Sequence, residues 1–136
     1  MMVVNFHEIG SIKEERLKFV VIPARYKNKW IFVRHKDRET WEMPGGHIEA
    51  GECIIEAARR ELFEESGAVE FEVEPLCDYS VSREDVTTYG RLFISNVTKL
   101  GPLPETEIGE VRLFDDIPES LTYPAIQGLL FKVLEK

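Results

Sequence analysis

The stretch that decides the fold runs from Pro44 to Ala68 and reads PGGHIEAGECIIEAARRELFEESGA. Its second half, Glu52 to Ser66, consists of good helix formers, and Gly67 follows at the position where a left-handed helix cap favours glycine. Its first half holds one proline and three glycines, which permit an irregular path and a close approach of backbone to a ligand. The segment therefore predicts a glycine-rich loop followed by a helix over 52–66.

Three glutamates share one face of this predicted helix. On a helical wheel of about 100° per residue, Glu64 and Glu65 lie within about 60° of Glu61 on either side. Such carboxylates repel each other by roughly a few tenths of a kcal/mol per pair unless a cation neutralises them. Oxygen ligands without His or Cys favour Mg²⁺ or Mn²⁺ over zinc. The face predicts a divalent-cation site at the edge of a cleft, with a solvated acidic face as the alternative.

The same helix carries an apolar flank that can bury. Ile55, Ala58 and Leu62 cluster beside the carboxylate face, so we expect them to pack on the core. Ala57 and Ala58 are small enough for the preceding loop to pack against the helix.

Apolar, aromatic and β-branched stretches elsewhere predict strands. The predicted strands are Leu17 to Ala24, Lys29 to His35, Val69 to Val73, Tyr89 to Thr98 and Glu110 to Phe114, with Arg25 to Asn28 separating the first two. The third alternates apolar residues with Glu70 and Glu72, which indicates one buried and one solvated face.

After Pro124 the chain shows the stripe of an amphipathic helix docked on a core, to which we assign a structural role. The stripe consists of Ile126, Leu129, Leu130, Val133 and Leu134. Several strands with helices available for both faces predict the α+β class, with a mixed sheet between helices.

The bulk composition limits the classes of function. A chain of 136 residues with 43% hydrophobic residues fits one domain spanning 1–136. Its net charge of -8 repels polyanions, which argues against long nucleic acid as a partner. A small polyanion can still bind where cations bridge it to acidic side chains.

Location and redox state follow from what the sequence contains. The N-terminal residues do not resemble a signal peptide, and no stretch approaches the roughly 18 apolar residues of a membrane span. We therefore expect a cytoplasmic protein that does not enter membranes. Cys53 and Cys77 do not have the spacing of a zinc site, and we expect two buried thiols.

The spacing within the deciding segment resembles a known family. From Gly46 the chain has five residues and then Glu52, and seven further residues separate Glu52 from the Arg60-Glu61-Leu62 triplet. One residue then precedes Glu64-Glu65, and one more precedes Gly67-Ala68, which reproduces every fixed position of the Nudix box. A chance full match is on the order of one in a million. The sequence is similar to the Nudix hydrolases.

The resemblance implies an α/β/α sandwich and hydrolysis of a nucleoside diphosphate linked to another group. It places Glu61, Glu64 and Glu65 at metal-ligand positions, with the backbone carbonyl of Gly45 as an expected further ligand for Mg²⁺ or Mn²⁺. Arg60 and Glu52 match positions that join loop and helix through charged hydrogen bonds.

The general base is open among three downstream carboxylates. Family members take it from the box helix or from a later loop, where Glu105, Glu107 and Glu110 are the candidates, and we favour Glu107. Three solvated loop carboxylates are the alternative. His35 and His47 could contact phosphate, although lone histidines beside a loop are more often simply exposed.

Only the absence of subfamily signatures limits the choice of substrate. An aromatic side chain could stack on a base, but strand aromatics are more often core, so we assign none of Trp30, Trp41, Tyr89, Phe93 and Tyr123. The ADP-ribose signature fails because Pro75 lies too near the box, and those of the dinucleoside polyphosphate, NADH and coenzyme A types do not fit either.

By elimination the chain resembles the nucleoside triphosphate group, which includes enzymes that degrade 8-oxo-dGTP to the monophosphate and pyrophosphate. Hydrolysis of ADP-ribose or of a dinucleoside polyphosphate, and a silent nucleotide-sensing Nudix domain, are the alternatives. The expected partner is a small nucleotide. Homodimers are common in the family, and the sequence leaves open whether this chain forms one.

Overall fold

The computed structural model describes residues 2–134, which form a mixed β-sheet with two helices. The strands are β1 Met2–His7, β2 Leu17–Val21, β3 Ala24–Tyr26, β4 Lys29–His35, β5 Gly45–His47, β6 Ala68–Arg83, β7 Val86–Leu100 and β8 Ile108–Phe114. The helices are α1 Ile54–Ser66 and α2 Pro124–Val133, and a 3-10 turn spans Glu14–Arg16.

The sheet runs in the order β1-β6-β7-β3-β4-β8, and β2 pairs with both β7 and β5. The β2–β7 and β3–β7 pairs are parallel, whereas the remaining pairs are antiparallel. The prediction of a mixed sheet is confirmed.

Successive residues of the central strands feed two separate cores. In β4, Ile31 and Val33 pack in one cluster with α1, whereas Phe32 packs in the other with α2. Side chains alternate between the faces of a strand, so the two helices cover opposite faces of the sheet. The predicted α+β sandwich is confirmed. Burial of each large apolar side chain contributes about 1.5–3 kcal/mol to this arrangement.

Helix α1 agrees with its prediction at the C-terminus and differs at the N-terminus. Gly67 adopts the left-handed conformation with φ of 78° and closes the helix, as expected. The helix begins at Ile54 with Cys53 as its N-cap residue, so Glu52 precedes it. The expectation that Ile55 is buried was wrong, since it is 40% exposed. The buried stripe begins at Ile54 instead, and it continues through Ala57, Ala58 and Leu62.

The predicted strand Leu17 to Ala24 is two strands, because Pro23 cannot donate a ladder hydrogen bond. The carbonyl of Pro23 accepts instead from the Ser95 N–H at 2.9 Å. The expectation that the polar segment Arg25 to Asn28 only separates two strands was also wrong in part. It forms the end of β3 and a tight turn whose last two residues have positive φ.

The β6–β7 hairpin is longer than its sequence pattern indicated. Strand β6 continues from the predicted Val73 to Arg83, with an irregularity between Pro75 and Cys77, and it pairs with β1, which was not predicted. Val69 is 46% exposed, contrary to the expected alternation. The expectation of two buried thiols was wrong, since Cys53 is exposed and Cys77 is half-buried.

Helix α2 packs on the core through Gln127, Leu130 and Phe131, whereas Leu129, predicted to be buried, is 38% exposed. The aromatic ring of Phe131 packs against Trp30 with a centroid distance of 5.3 Å. Within residues 2–134, neither helix is long and apolar enough to cross a membrane.

Candidate active site

A cleft of about 740 Å³ joins the glycine-rich loop and α1 to helix α2. One part of its wall, here the charged region, consists of His35, Arg38, Glu42, Arg60, Glu61, Glu65 and Glu107. A second part, here the apolar region, consists of Phe19, Val21, Met43, Tyr79, Val81, Val86, Ile126, Gln127 and Leu130. Arg83 of β6 and Thr88 of β7 also line the cleft. Helix α2 therefore lines the cleft as well as the core, so its assignment as structural only was incomplete.

Arg60 ties the loop to the helix. Its Nε and Nη2 donate to the two carboxylate oxygens of Glu52 at 2.7 and 2.9 Å, and Nη2 also donates to the His47 carbonyl at 3.1 Å. The hydrogen bond from Arg60 lowers the pKa of Glu52, because it stabilises the charged carboxylate. A forked pair of this kind fixes both position and orientation.

The same guanidinium lies between two of the predicted metal ligands. Arg60 Nη1 donates to Glu61 Oε1 at 2.6 Å and to Glu64 Oε1 at 3.0 Å. Within residues 2–134, no group of three or more His, Cys, Asp or Glu side chains is arranged as a ready metal cluster. The three glutamates share a helix face as expected, but Arg60 supplies the positive charge between Glu61 and Glu64.

Glu65 also lines the cleft but has different partners. Its Oε1 accepts the Gly45 N–H at 3.0 Å, and its Oε2 is 3.8 Å from His35 Nε2. Burial raises the pKa of Glu65 to about 8 and that of Glu61 to about 7, because too little positive charge offsets the lost hydration. A divalent cation would stabilise the charged forms, and both side chains offer the hard oxygens that Mg²⁺ and Mn²⁺ prefer. These residues therefore fit such an ion.

The loop glycines allow these close approaches. A Cβ atom on Gly46 would overlap the Glu61 carboxylate, and one on Gly45 would overlap the Val20 carbonyl oxygen. The Gly45 N–H donates a hydrogen bond to Glu65. A metal-ligand role for the Gly45 carbonyl stays a prediction.

Glu42 and Arg38 also line the cleft, and neither was predicted from the sequence. Glu42 Oε1 is 3.3 Å from His35 Nε2, and its other oxygen accepts from Arg38 at 3.2 Å. Only 13% of the Glu42 side chain is exposed. Glu42 lies two residues before Pro44, in a segment that pairs with strand β4 through Val33. This pairing brings Glu42 to the cleft.

The three candidate bases lie in different places. Glu107 lines the cleft, with its Oε2 3.9 Å from His35 Nδ1 and its side chain 91% exposed. It also lines an adjoining cavity of about 320 Å³, together with Glu61, Glu64 and Glu65. Glu110 is instead engaged by Arg34 and Arg112, and Glu105 lines neither cavity.

The histidines and aromatics also separate by position. His35 and His47 both line the cleft, and the His47 ring packs on Phe19 at 4.5 Å. Of the five aromatics weighed from sequence, Tyr123 alone lines the cleft. Tyr79 and Phe19, which line the apolar region, were not weighed as stacking residues. Tyr79 lay beyond the end of its predicted strand.

Residues 14–126 match the family model of the NUDIX domain. This chain belongs to the Nudix hydrolase family. The Nudix box described from the sequence supplies Arg60, Glu61 and Glu65 of the charged region.

Two curated relatives illustrate the similarity. "Putative 8-oxo-dGTP diphosphatase YtkD" of Bacillus subtilis (strain 168) is 32% identical over 108 residues, which are 77% of this chain and 66% of that protein. Phosphatase NudJ of Escherichia coli (strain K12) is 59% identical over 27 residues, which are 20% of this chain and 18% of that protein. The matches thus span less than two thirds of either relative.

Solved Nudix structures share the fold. A variant of the Bacillus subtilis pyrophosphohydrolase BsRppH superposes with a TM-score of 0.81 at 26% identity, covering 97% of this chain and 89% of that chain. A UDP-X diphosphatase superposes with a TM-score of 0.71 at 21% identity, covering 93% of this chain and 66% of that chain.

Proposed function

We propose that this protein hydrolyses a diphosphate bond in a nucleoside triphosphate, oxidised forms such as 8-oxo-dGTP included, to give the monophosphate and pyrophosphate. The observation that carries the proposal is that Glu61, Glu65 and the apolar region line the same cleft. Its volume of about 740 Å³ lies within the range of roughly 300–1,000 Å³ typical of small-ligand sites.

The metal ligands of this proposal are Glu61, Glu64, Glu65 and the carbonyl of Gly45, with Mg²⁺ or Mn²⁺ as the ion. The ion would neutralise phosphate charge and lower the pKa of a bound water. Arg60 and Glu52 hold loop and helix in place, so their role is to position the carboxylates.

We assign the general base to Glu107. It lines both the cleft and the adjoining cavity, and its exposed carboxylate can accept a proton from water at the cleft mouth. His35 lies between Glu42, Glu65 and Glu107 and faces the cleft, so its ring can donate to a phosphate oxygen.

Similarity supports the substrate class. The relative that is 32% identical bears the name of an 8-oxo-dGTP diphosphatase, and the structural neighbour at 26% identity is named a pyrophosphohydrolase. Hydrolysis of ADP-ribose or a dinucleoside polyphosphate is the second candidate within the family. A silent nucleotide sensor is disfavoured, because the box keeps all its glutamates.

The setting of the protein is also part of the proposal. We place it in the reducing cytoplasm because Cys53 and Cys77 are free thiols. We propose a homodimer by family resemblance, and light scattering of the purified chain tests it.

The test is a panel of dGTP, 8-oxo-dGTP, ADP-ribose and diadenosine tetraphosphate, assayed for both pyrophosphate and phosphate with Mg²⁺, Mn²⁺ or a chelator. We expect metal-dependent pyrophosphate release from the triphosphates. If ADP-ribose were the one compound of the panel that is hydrolysed, it would replace the nucleoside triphosphate as the proposed substrate. Calorimetric binding of a nucleotide without turnover of any compound would favour the sensor.

A further inference from the structure

Two almost fully buried polar side chains face the apolar region of the cleft. Gln127 of α2 is 7% exposed and Tyr79 of β6 is 5% exposed, and both line the cleft among apolar neighbours. Buried polar groups in proteins are nearly always paired, so the partner of each polar atom can be sought one by one.

The orientation of the Gln127 amide is fixed by the backbone. The Met43 N–H donates to Gln127 Oε1 at 2.7 Å, and a backbone N–H can only donate, so the other amide atom is the NH₂ group. That bond joins the segment before the glycine-rich loop to helix α2. It holds the NH₂ group in one direction.

The Gln127 NH₂ group and the Tyr79 hydroxyl form no hydrogen bond within residues 2–134. Ser95 Oγ is the one fully enclosed side-chain N or O atom that lacks a partner in this part of the chain. Neither atom is fully enclosed, and both side chains line the cleft, so a ligand in the cleft can reach them. A ligand that enters the apolar region meets a fixed donor on Gln127 and a hydroxyl that can donate or accept.

The surrounding walls are largely apolar. Val21, Val81, Ile126 and Leu130 line this region, and a pocket of apolar walls with a few fixed polar groups is the usual form of a small-ligand site. The charged region beside it would hold the phosphates of the same ligand. This step rests on the function proposed above.

We propose that Gln127 selects keto bases over amino bases at this end of the cleft. Guanine at C6, and uracil and thymine at C4, carry an exocyclic oxygen that can accept from the Gln127 NH₂ group, whereas adenine and cytosine carry at the same ring position an amino group that would face it donor to donor. The Tyr79 hydroxyl adapts to either ring, so it strengthens binding without choosing between them.

The experiment compares kcat/KM for two pairs of matched ring size, GTP with ATP and dTTP with dCTP, in wild type and in Gln127→Glu. The carboxylate of that variant still accepts the Met43 N–H but offers no NH₂ donor. We expect wild type to prefer the keto member at least about tenfold, and Gln127→Glu to lose that preference, chiefly through KM. An unchanged ratio in a variant that melts like wild type would overturn the proposal.

Tyr79→Phe is the matched control, because it removes the hydroxyl and keeps the ring. It should raise KM for both members of a pair and leave their ratio unchanged. A ratio that follows Tyr79 instead of Gln127 would contradict the assignment.

Binding of the products separates this inference from the proposed function. Calorimetry with GMP and AMP measures base selection without turnover. Selective binding of GMP, lost in Gln127→Glu, by a chain that hydrolyses no triphosphate would overturn the proposed function and keep the inference. Hydrolysis of all four triphosphates with equal affinity for GMP and AMP would overturn the inference and keep the function.

Discussion

The two regions of the cleft are built in different ways. The charged region takes Arg60, Glu61 and Glu65 from one helix, and its other members come from segments on either side of that helix. The apolar region draws Phe19 from β2, Tyr79 from β6 and Gln127 from α2, residues separated by 48 positions or more. The helical part of the charged region is a local product of helix spacing, whereas the apolar region exists only when the sheet is complete.

The difference suggests a division of labour. The reactive groups of a local segment keep their arrangement when the rest of the sequence varies, because that arrangement depends on few distant contacts. A region assembled from three separate elements can change one side chain at a time. We expect substitutions in the charged region to act on kcat, and those in the apolar region on KM and on the choice of substrate.

Glu65→Gln should have the largest effect. Gln keeps the shape and can still accept the Gly45 N–H, but it lacks the charge that a cation requires. Loss of several kcal/mol of metal-dependent stabilisation corresponds to a fall in kcat of about a thousandfold. Steady-state kinetics with Mg²⁺ measures it, and circular dichroism checks the fold. Glu56→Gln, an exposed position on the same helix, is the control, and normal turnover in a folded Glu65→Gln would remove Glu65 from the site.

Arg60→Lys should follow in size. Lysine keeps the charge but cannot hold Glu52, Glu61 and Glu64 at once through a planar fork. Loss of a positioning partner of this kind weakens metal affinity by about 10–100-fold. Titration of Mg²⁺ against activity gives the apparent affinity.

The neighbouring Arg59 offers a matched control for this change. It lies on the exposed side of α1, where its guanidinium contacts the Phe71 ring at 4.9 Å. Arg59→Lys should leave the Mg²⁺ titration unchanged. Equal effects of the two substitutions would mean that the planar fork of Arg60 does not position the metal ligands.

Gly90→Ala tests the apolar region. The added Cβ would lie 2.5 Å from the ring of Tyr79, so the ring must move within the cleft. We expect a loss of about 1–3 kcal/mol of stability and a larger change in KM than in kcat. Thermal melts and initial rates measure both. A change confined to kcat would contradict the division between the regions.

Gly128→Ala should have the smallest effect, and in the opposite direction. Gly128 lies inside α2, and a Cβ there meets nothing within 4 Å. Alanine reduces the entropy of the unfolded chain and should stabilise the protein by about 0.5–1 kcal/mol. The melting temperature should rise with kcat/KM unchanged. A fall in the melting temperature would show that α2 is held more tightly than its contacts indicate.

The sequence predicted the parts of the fold that have a clear local pattern. Helix α1 and its cap at Gly67 follow from propensity and backbone conformation, and the strand Lys29–His35 follows from an apolar run. Strand β1 escaped prediction because its pairing with β6 is a long-range contact. Ile55 and Leu129 were misplaced because a helical wheel fixes relative angles only, and the sheet decides which angle is buried.

The candidate site divides in the same way. Helix spacing alone placed Glu61, Glu64 and Glu65 on one face, and the box spacing assigned the chain to its family. Both depend on residues close in sequence, where backbone geometry is nearly constant. Only the tertiary structure placed Arg60 between Glu61 and Glu64, brought Glu107 to the cleft, and joined the Gln127 amide to the Met43 N–H. These depend on distant contacts, whose geometry no local pattern contains.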